Sequence, residues 1–125
     1  MSADRPANIS TVTDATFDEE AGKPGLALVD FYADWCGPCK VLEPMLDRIL
    51  AQHPEVRMLR LNVDENPLST AQFQILSIPT VIFFRDGKQL GEPILGAQKP
   101  AVYDALIREY SSGADAQQPE IPAEA

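Results

Sequence analysis

The sequence predicts an α/β domain in which a central β-sheet of about five strands is covered on both faces by about four helices. Two observations predict this class. Apolar runs of strand length alternate along the chain with segments whose apolar residues recur at helical spacing. In addition, residues 26–32 read LALVDFY, an almost continuous apolar run that is typical of a central strand buried on both faces.

The first elements are a short strand, predicted at residues 9–11, and a short helix. Thr13 or Asp14 can cap this helix, which runs through Glu20, because short polar side chains accept hydrogen bonds from the free N–H groups of a first turn. The glycines and proline of residues 22–25 stop the helix before the central strand begins.

A longer helix is predicted from Cys36 onward. Its apolar residues form one stripe at helical spacing: Val41, Leu42, Met45, Leu46, Ile49 and Leu50. Pro44 lies inside the stripe, where a proline removes a backbone donor and clashes with the preceding turn, so a kink is expected. The single histidine, His53, falls at the end of this helix and is expected to be a surface or capping residue.

The sheet is completed by three further predicted strands, at residues 56–63, 80–84 and 89–95. The strongest signal is that of residues 80–84, which read TVIFF, because β-branched and aromatic residues favour strands. An Asp86-Gly87 turn separates the last two strands and predicts a hairpin.

Two further helices are each marked by a proline at the first helical position. Asn66 as a cap and Pro67 after it predict a short helix through about Phe73. Pro100 starts the final helix, and its apolar residues Val102, Leu106 and Tyr110 are expected on one side.

Length and charge indicate the domain organisation. The chain has 125 residues and a net charge of −9. This length fits one domain, placed at residues 8–110, and residues 1–7 are expected to be flexible. Residues 111–125 read SSGADAQQPEIPAEA and contain acids but no base. They have too few bulky apolar groups to offset their chain entropy, so this acidic tail is predicted to be disordered.

Composition argues against several classes of protein. No run of about 18 apolar residues is present, so no membrane span is predicted, and residues 1–10 lack the pattern of a signal peptide. An acidic chain repels phosphate backbones, which makes nucleic acid an unexpected partner. Two cysteines and one histidine supply three ligands where structural zinc wants four, so no metal is expected. Two cysteines are also too few for a secreted disulfide scaffold, which favours a reducing cytosol.

The two cysteines carry the clearest chemical signal. They lie in residues 35–40, WCGPCK, between the best strand and the best helix. A thiolate at a helix N-terminus faces free N–H groups and the positive end of the helix dipole, so the thiol becomes more acidic. The second thiol lies one turn further, where it can attack a mixed disulfide formed by the first. Gly37 and Pro38 leave little bulk around the first sulfur, and Pro38 suits a first helical turn.

Three other uses of the pair are less favoured than redox chemistry. A structural disulfide across so small a loop would add less stability than a long-loop bridge. Two buried, inert thiols would not need Gly-Pro between them at a strand–helix junction. A metal site would need ligands from a second chain. A Cys-x-x-Cys motif within a strand–helix pattern therefore favours a redox-active dithiol.

Residues 29–40, VDFYADWCGPCK, resemble the active-site segment of the thioredoxin family. Further segments resemble that family in the same order: Pro44 in the active-site helix, residues 61–67 after the third strand, residues 77–80 around its cis-proline, residues 85–87 at the hairpin turn, and Gly96-Ala97 before the last helix. The similarity covers roughly residues 8–110 and leaves out the tail. It implies the thioredoxin fold, with a central mixed sheet.

The resemblance also implies the roles of the residues in the dithiol motif. Cys36 would be the nucleophile that attacks a substrate disulfide, and Cys39 would be the resolving thiol. Gly37 and Pro38 complete the catalytic motif. Lys40, the next residue, is expected to tune the charge near the thiols.

Five residues are implied in substrate binding. Trp35 would flank the reactive sulfur on a flat apolar docking face. Pro79 would be cis and pack against the dithiol, and Ile78 would offer its backbone to an extended substrate segment, as in strand-like peptide recognition. Gly96 and Ala97 would border the same groove, although an ordinary turn glycine is the alternative for Gly96.

Asp30 interrupts an apolar strand, and an unpaired carboxylate is costly to bury. An exposed strand end is one interpretation. The resemblance implies instead that Asp30 lies buried beneath the dithiol, with a raised pKa, and assists proton transfer to and from Cys39. Arg60 stands where thioredoxins commonly carry lysine, and the sequence leaves open whether it approaches Asp30 or extends to solvent. The hypothesis is that Arg60 lowers the Asp30 pKa relative to lysine.

The function implied by the resemblance is that of a thiol–disulfide oxidoreductase that reduces protein disulfides. Electrons would come from an NADPH-dependent thioredoxin reductase, and no organic cofactor is implied. A cytoplasmic monomer is expected. The alternative is a thioredoxin-like binding or chaperone-like subunit, in which the fold rather than the dithiol serves a larger assembly.

Overall fold

Residues 6–112 are described by the structure, a computed structural model. The flexible segment expected at residues 1–7 and the disordered tail expected at residues 111–125 fall largely outside this range. The elements, in chain order, are β1 (Ile9–Thr11), α1 (Phe17–Ala21), β2 (Leu26–Tyr32), α2 (Gly37–Ala51), β3 (Arg57–Asn62), α3 (Pro67–Gln72), β4 (Thr80–Arg85), β5 (Lys88–Leu95) and α4 (Pro100–Ser111).

The described strands form one mixed sheet in the order β1-β3-β2-β4-β5. β3 pairs in parallel with both β1 and β2, whereas β4 is antiparallel to both β2 and β5. β2 is the middle strand, and its residues from Leu26 to Phe31 are all buried. The predicted α/β class and the central position of this strand are confirmed. In residues 6–112, no helix is long and apolar enough to cross a membrane.

Alternation along β2 divides the core into two clusters. Leu26 and Leu28 pack with residues of α2 and α4 on one face of the sheet. Val29 and Phe31 pack on the other face with residues of α1 and with Phe73. Because side chains alternate along a strand, Asp30 points to the same face as Leu28, toward α2 and α4.

The predicted hairpin joins β4 to β5. Arg85 pairs with Lys88 across a two-residue loop. Both loop residues have positive φ, 52° at Asp86 and 88° at Gly87, which is the backbone that Asp-Gly favours in tight hairpins. The Asp86 carboxylate also accepts a 2.7 Å hydrogen bond from the Gly25 N–H, so the turn is tied to the start of β2.

The predicted start of the first helix was wrong. α1 begins at Phe17, and neither Thr13 nor Asp14 caps it. The Asp14 carboxylate instead accepts hydrogen bonds from the N–H groups of Leu68 (3.1 Å) and Ser69 (2.8 Å) at the start of α3. Asp14 therefore caps a helix that begins more than fifty residues further along the chain.

The predicted role of Asn66 was also wrong in part. Asn66 precedes Pro67 at the start of α3, but its side chain makes no cap hydrogen bond. Its amide oxygen accepts from the Asp14 N–H (2.8 Å), and its amide nitrogen donates to the Asn62 carbonyl (2.9 Å). Asp14 therefore caps α3 in place of Asn66, and the buried Asn66 amide ties the segment before α1 to the end of β3.

The buried face of α4 was predicted in part, since Tyr110 is buried and Leu106 packs against the core as expected. Tyr103, Ile107 and Tyr110 point inward, whereas Val102 is 38% exposed. The Tyr103 hydroxyl accepts from the Gln98 N–H (3.0 Å) and donates to the Gly96 carbonyl (3.3 Å), which turns this side of the helix toward the sheet. Val41 of α2, predicted in the apolar stripe, is likewise exposed.

The cap that Asp14 provides to α3 can be tested by substitution. Asp14→Ala should lower the urea midpoint and accelerate amide hydrogen exchange at Leu68 and Ser69, because both N–H groups lose their acceptor. Asp18→Ala, which removes an exposed acid from α1, is the matched control and should change neither quantity. Unchanged exchange at both amides in Asp14→Ala would contradict the cap.

Candidate active site

The two cysteines lie where β2 passes into α2. Cys36 has extended backbone (φ −90°, ψ 111°) and is the N-cap of α2, and Pro38 occupies the first turn. A disulfide joins Cys36 to Cys39, whose Cα atoms are 5.3 Å apart. The placement of the pair at a helix start, predicted from the sequence, is confirmed.

The first turn of α2 surrounds the Cys36 sulfur with positive potential. The Cys39 N–H donates a 3.2 Å hydrogen bond to Cys36 Sγ. The free N–H groups of a helix start and the helix dipole also favour negative charge at this position. In the reduced protein these groups stabilise a Cys36 thiolate, which is the nucleophilic form of the residue.

The dithiol motif contains both buried and exposed residues. Both cysteines are buried in a small cluster with Ala33. Gly37 is exposed, and a Cβ added there would meet no other atom within 4 Å. The motif therefore leaves open space at Gly37, the residue that follows Cys36.

Trp35 forms the exposed side of the site. Its side chain is 70% exposed. The indole N–H donates a 2.7 Å hydrogen bond to the carboxylate of Asp64, which fixes the ring although it lies in solvent. Asp64 follows β3 within the segment that resembles the family, but the sequence alone did not assign it a role.

An apolar groove of about 280 Å³ runs from Trp35 toward the cis-proline loop. It is lined by Trp35, Val63, Thr70, Ile75, Leu76, Ser77 and Ile78. Leu76 is 94% exposed. The sequence interpretation did not include Leu76, because a single leucine between strands gives no sign of whether it faces the core or the solvent.

The two loops implied in substrate binding are adjacent. The Ile78–Pro79 peptide bond is cis, as the resemblance implies, and Ile78 packs against the cysteine cluster. The Gly96 N–H donates a 2.8 Å hydrogen bond to the Pro79 carbonyl. Gly96 has φ of 76°, a conformation that favours glycine. Ala97, which follows it, is exposed.

Asp30 is buried on the α2 side of the sheet, so the strand-end interpretation was wrong. Its Oδ2 lies 3.4 Å from Arg60 Nε, and its Oδ1 has no hydrogen-bond partner among the described residues. Burial raises the pKa of Asp30 from 3.8 to about 6, while the Arg60 charge opposes the shift and the Glu43 charge supports it. A carboxyl group with this pKa exchanges its proton close to neutral pH.

Arg60 approaches Asp30 rather than extending freely into solvent. The two residues are direct neighbours on adjacent strands. The guanidinium lies over the Tyr32 ring, 4.0 Å from its centre, and Nη1 donates a 3.1 Å hydrogen bond to Glu43 Oε2. Glu43, on α2, is therefore a third charged member of the site, and the sequence interpretation did not include it.

A cavity of about 260 Å³ connects Cys39 to this charged group. Its walls are formed by Tyr32, Ala33, Asp34, Cys39, Lys40, Glu43 and Arg60. Lys40 is exposed at its edge. The cavity has room for water between Cys39 and Arg60. Arg60 in turn contacts Asp30.

His53 lies apart from the site, at the far end of α2. Its Nε2 is 3.0 Å from the Asp104 carboxylate, so it joins the end of α2 to α4. As expected, His53 is far from the cysteines, but its largely buried side chain bonds to α4 rather than lying at the surface or capping α2.

Comparison with known proteins is consistent with this geometry. The family model described as Thioredoxin matches residues 8–109. A thioredoxin of Listeria monocytogenes is 38% identical over 103 residues, which cover 82% of this chain and 98% of the relative. One of Staphylococcus aureus is 44% identical over 91 residues, with 72% and 86% covered. The solved structure of a mutant thioredoxin from Halobacterium salinarum has a TM-score of 0.76 at 32% identity and covers 86% of this chain and 94% of its own.

The raised pKa of Asp30 makes stability depend on pH. Since the folded protein binds this proton more tightly than the unfolded chain does, the stabilisation is complete below about pH 4 and is lost as the pH rises through about 6. The difference between the folded and unfolded pKa of Asp30 corresponds to roughly 3 kcal/mol of stability, at ~1.4 kcal/mol per pH unit.

Asp30→Asn removes this titration. The free energy of unfolding of the oxidised variant, relative to the parent, should therefore increase by up to roughly 3 kcal/mol between pH 4 and pH 7. Urea unfolding of both proteins at several pH values measures the difference. A difference that stays constant across this range would show that Asp30 does not titrate there.

Proposed function

The chain belongs to the thioredoxin family and is a thiol–disulfide oxidoreductase, and we propose that it reduces protein disulfides with Cys36 as the attacking and Cys39 as the resolving thiol. The observation that carries this proposal is the position of Cys36 at the start of α2, with a backbone N–H directed at its sulfur. A sulfur placed in this way is a good nucleophile when reduced, because its thiolate form is stabilised.

The reaction consists of two exchange steps. The Cys36 thiolate attacks one sulfur of the substrate disulfide, which forms a mixed disulfide and releases the other substrate sulfur as a thiolate. Cys39 then loses its proton and attacks Cys36 Sγ. This step forms the Cys36–Cys39 disulfide and releases the second substrate thiolate. Two electrons pass to the substrate, and both substrate sulfurs end as thiols after protonation.

Asp30 is the proposed proton acceptor for Cys39. Its buried carboxylate has a raised pKa, and its free Oδ1 retains the capacity to accept a hydrogen bond. The adjoining cavity, which Cys39 lines, has room for water to carry the proton. Lys40 at the edge of the cavity is proposed to add positive potential near the thiols.

The partner protein is proposed to bind as an extended segment beside Cys36. Trp35 supplies the apolar contact, and the backbone of Ile78 pairs with the segment. Gly96 and Ala97 border it on the other side, close to Pro79. Main-chain pairing of this kind accepts many side chains, which suits a reductant with several protein substrates.

Pro38, the second of the two residues between the cysteines, favours a role as a reductant of substrate disulfides over a role as an oxidant. A histidine at the position of Pro38 would stabilise the thiolate as an imidazolium and raise the reduction potential. Pro38 carries no charge, and the single histidine of the chain lies at the other end of α2. The proposed electron donor is an NADPH-dependent thioredoxin reductase, and the proposed working state is a cytoplasmic monomer.

The cysteine roles can be tested by insulin reduction with dithiothreitol. Cys36→Ser should reduce the precipitation rate to that of the uncatalysed blank, because no nucleophile remains. Cys39→Ser should also lose turnover but should accumulate a mixed disulfide with the substrate protein, visible as a larger species on a non-reducing gel. If the parent and Cys36→Ser both match the blank, the alternative role as a binding subunit replaces the enzyme.

The influence of Arg60 on Asp30 can be tested separately. Arg60→Lys should raise the pKa of Asp30, because a buried ammonium can lose its proton, whereas the guanidinium keeps its charge. NMR titration of the Asp30 carboxyl carbon in both oxidised proteins measures the change. An equal or lower pKa in Arg60→Lys would contradict the hypothesis.

A further inference from the structure

Glu43 lies one helical turn beyond the resolving cysteine, on the side of α2 that faces Arg60. Asp30, Arg60 and Glu43 form a row from the core to the surface, with side chains that are 2%, 10% and 30% exposed. We define these three residues as the charged row. Two carboxylates therefore compete for one guanidinium.

The contacts within the charged row are unequal. Arg60 presents Nη1 to Glu43 at 3.1 Å but only Nε to Asp30, at 3.4 Å. A carboxylate and a guanidinium pair most strongly through two parallel hydrogen bonds. Asp30 does not receive such a pair, since its Oδ1 has no partner among the described residues.

The Tyr32 ring fixes the plane of the guanidinium from a third direction. Between this ring and Glu43, Arg60 has little freedom to rotate toward Asp30. We propose that Glu43 is a positioning residue: its carboxylate holds the Arg60 guanidinium toward α2 and thereby prevents a full ion pair between Arg60 and Asp30.

The effect of Glu43 is electrostatic and not a proton relay. A guanidinium does not release its proton in proteins, so no proton passes from Asp30 to Glu43 through Arg60. The groups that face Asp30 are Arg60 on β3, Glu43 and Asp47 on α2, and Tyr103 on α4. Arg60 is the one described cation among them, and the direction in which it points therefore controls the charge that Asp30 experiences.

This inference rests on the proposed function for its consequence. A carboxylate held in a full ion pair is a weaker base, and it would take the Cys39 proton less readily. By dividing the charge of Arg60, Glu43 keeps Asp30 basic enough to act on Cys39.

The test is an NMR titration of Asp30 in the oxidised protein. Glu43→Gln should lower the Asp30 midpoint by at least about 0.5 pH unit, since an opposite charge within ~4–6 Å lowers a carboxyl pKa by 1–3 units when fully engaged. Asp34→Asn is the matched control, because Asp34 lines the same cavity but is exposed. It should move the midpoint less than half as far.

A double-mutant cycle separates positioning from direct repulsion between the two carboxylates. In an Arg60→Met background, Glu43→Gln should move the Asp30 midpoint much less than it does in the parent. Equal changes in the two backgrounds would overturn the proposal, because Glu43 would then act on Asp30 without Arg60. An Asp30 midpoint that does not move in Glu43→Gln would overturn it as well.

Separate control measurements test the folding of each variant and the proposed reductase function. The NMR spectrum of each variant reports whether it is folded, and the titration of the oxidised protein requires no turnover. A failure of the proposed reductase function would appear in the insulin assay of the parent and would leave the midpoint difference intact. In the pH profile of insulin reduction, the acidic limb of Glu43→Gln should shift to lower pH by the same amount as the Asp30 midpoint.

Discussion

The site depends on one constraint, the burial of the Asp30 carboxylate in the middle strand of the sheet. β2 has neighbours on both sides and helices on both faces, so Asp30 cannot reach solvent without disrupting the fold. Water is replaced there by one guanidinium contact of 3.4 Å. Burial therefore costs more than Arg60 restores, and the carboxyl group responds by holding its proton more tightly, with a pKa of about 6.

The same strand also positions the thiols. β2 ends at Tyr32, and Cys36, the N-cap of α2, follows four residues later. The strand thus places the Asp30 carboxyl group in the core and Cys36 at the helix start within one short segment. On the opposite side of the cysteines, Tyr103 of α4 fixes the loop at Gly96, and Gly96 donates to Pro79. α4 consequently supports the groove as well as covering the sheet.

Sequence patterns predicted what depends on local chemistry. The middle strand, the Asp86-Gly87 hairpin and the cysteine pair at a helix start each have a local physical signature, and each is present. The capping of α3 by Asp14 instead of Asn66 was missed because each residue is a good cap for the helix nearest to it in sequence. Only the packing of β1 against β3 brings the segment after β1 close to α3.

The charged row was beyond prediction for a different reason. A glutamate on an amphipathic helix is usually a solvated surface residue, and nothing in the sequence places Glu43 across from a cation on β3. The direction of Arg60 was undecided for the same reason, since a long side chain can lie on apolar surface and carry its charge outward. Trp35 was recognised through its neighbour Cys36, but its partner Asp64 lies on another loop.

Because residue 60 is an arginine, the position of Glu43 affects how strongly the charge of Arg60 acts on Asp30. A lysine in this environment has two ways to lessen its effect on Asp30: it can move its single charged atom away, or it can lose its proton. Arginine keeps its charge, and the Tyr32 ring restrains its plane. A second anion that shares this charge reduces its effect on Asp30. Glu43, partly exposed on α2, is such an anion. If Asp30 is the proton acceptor proposed above, the pairing of Arg60 with Glu43 is the contact that makes a permanently charged neighbour compatible with this role.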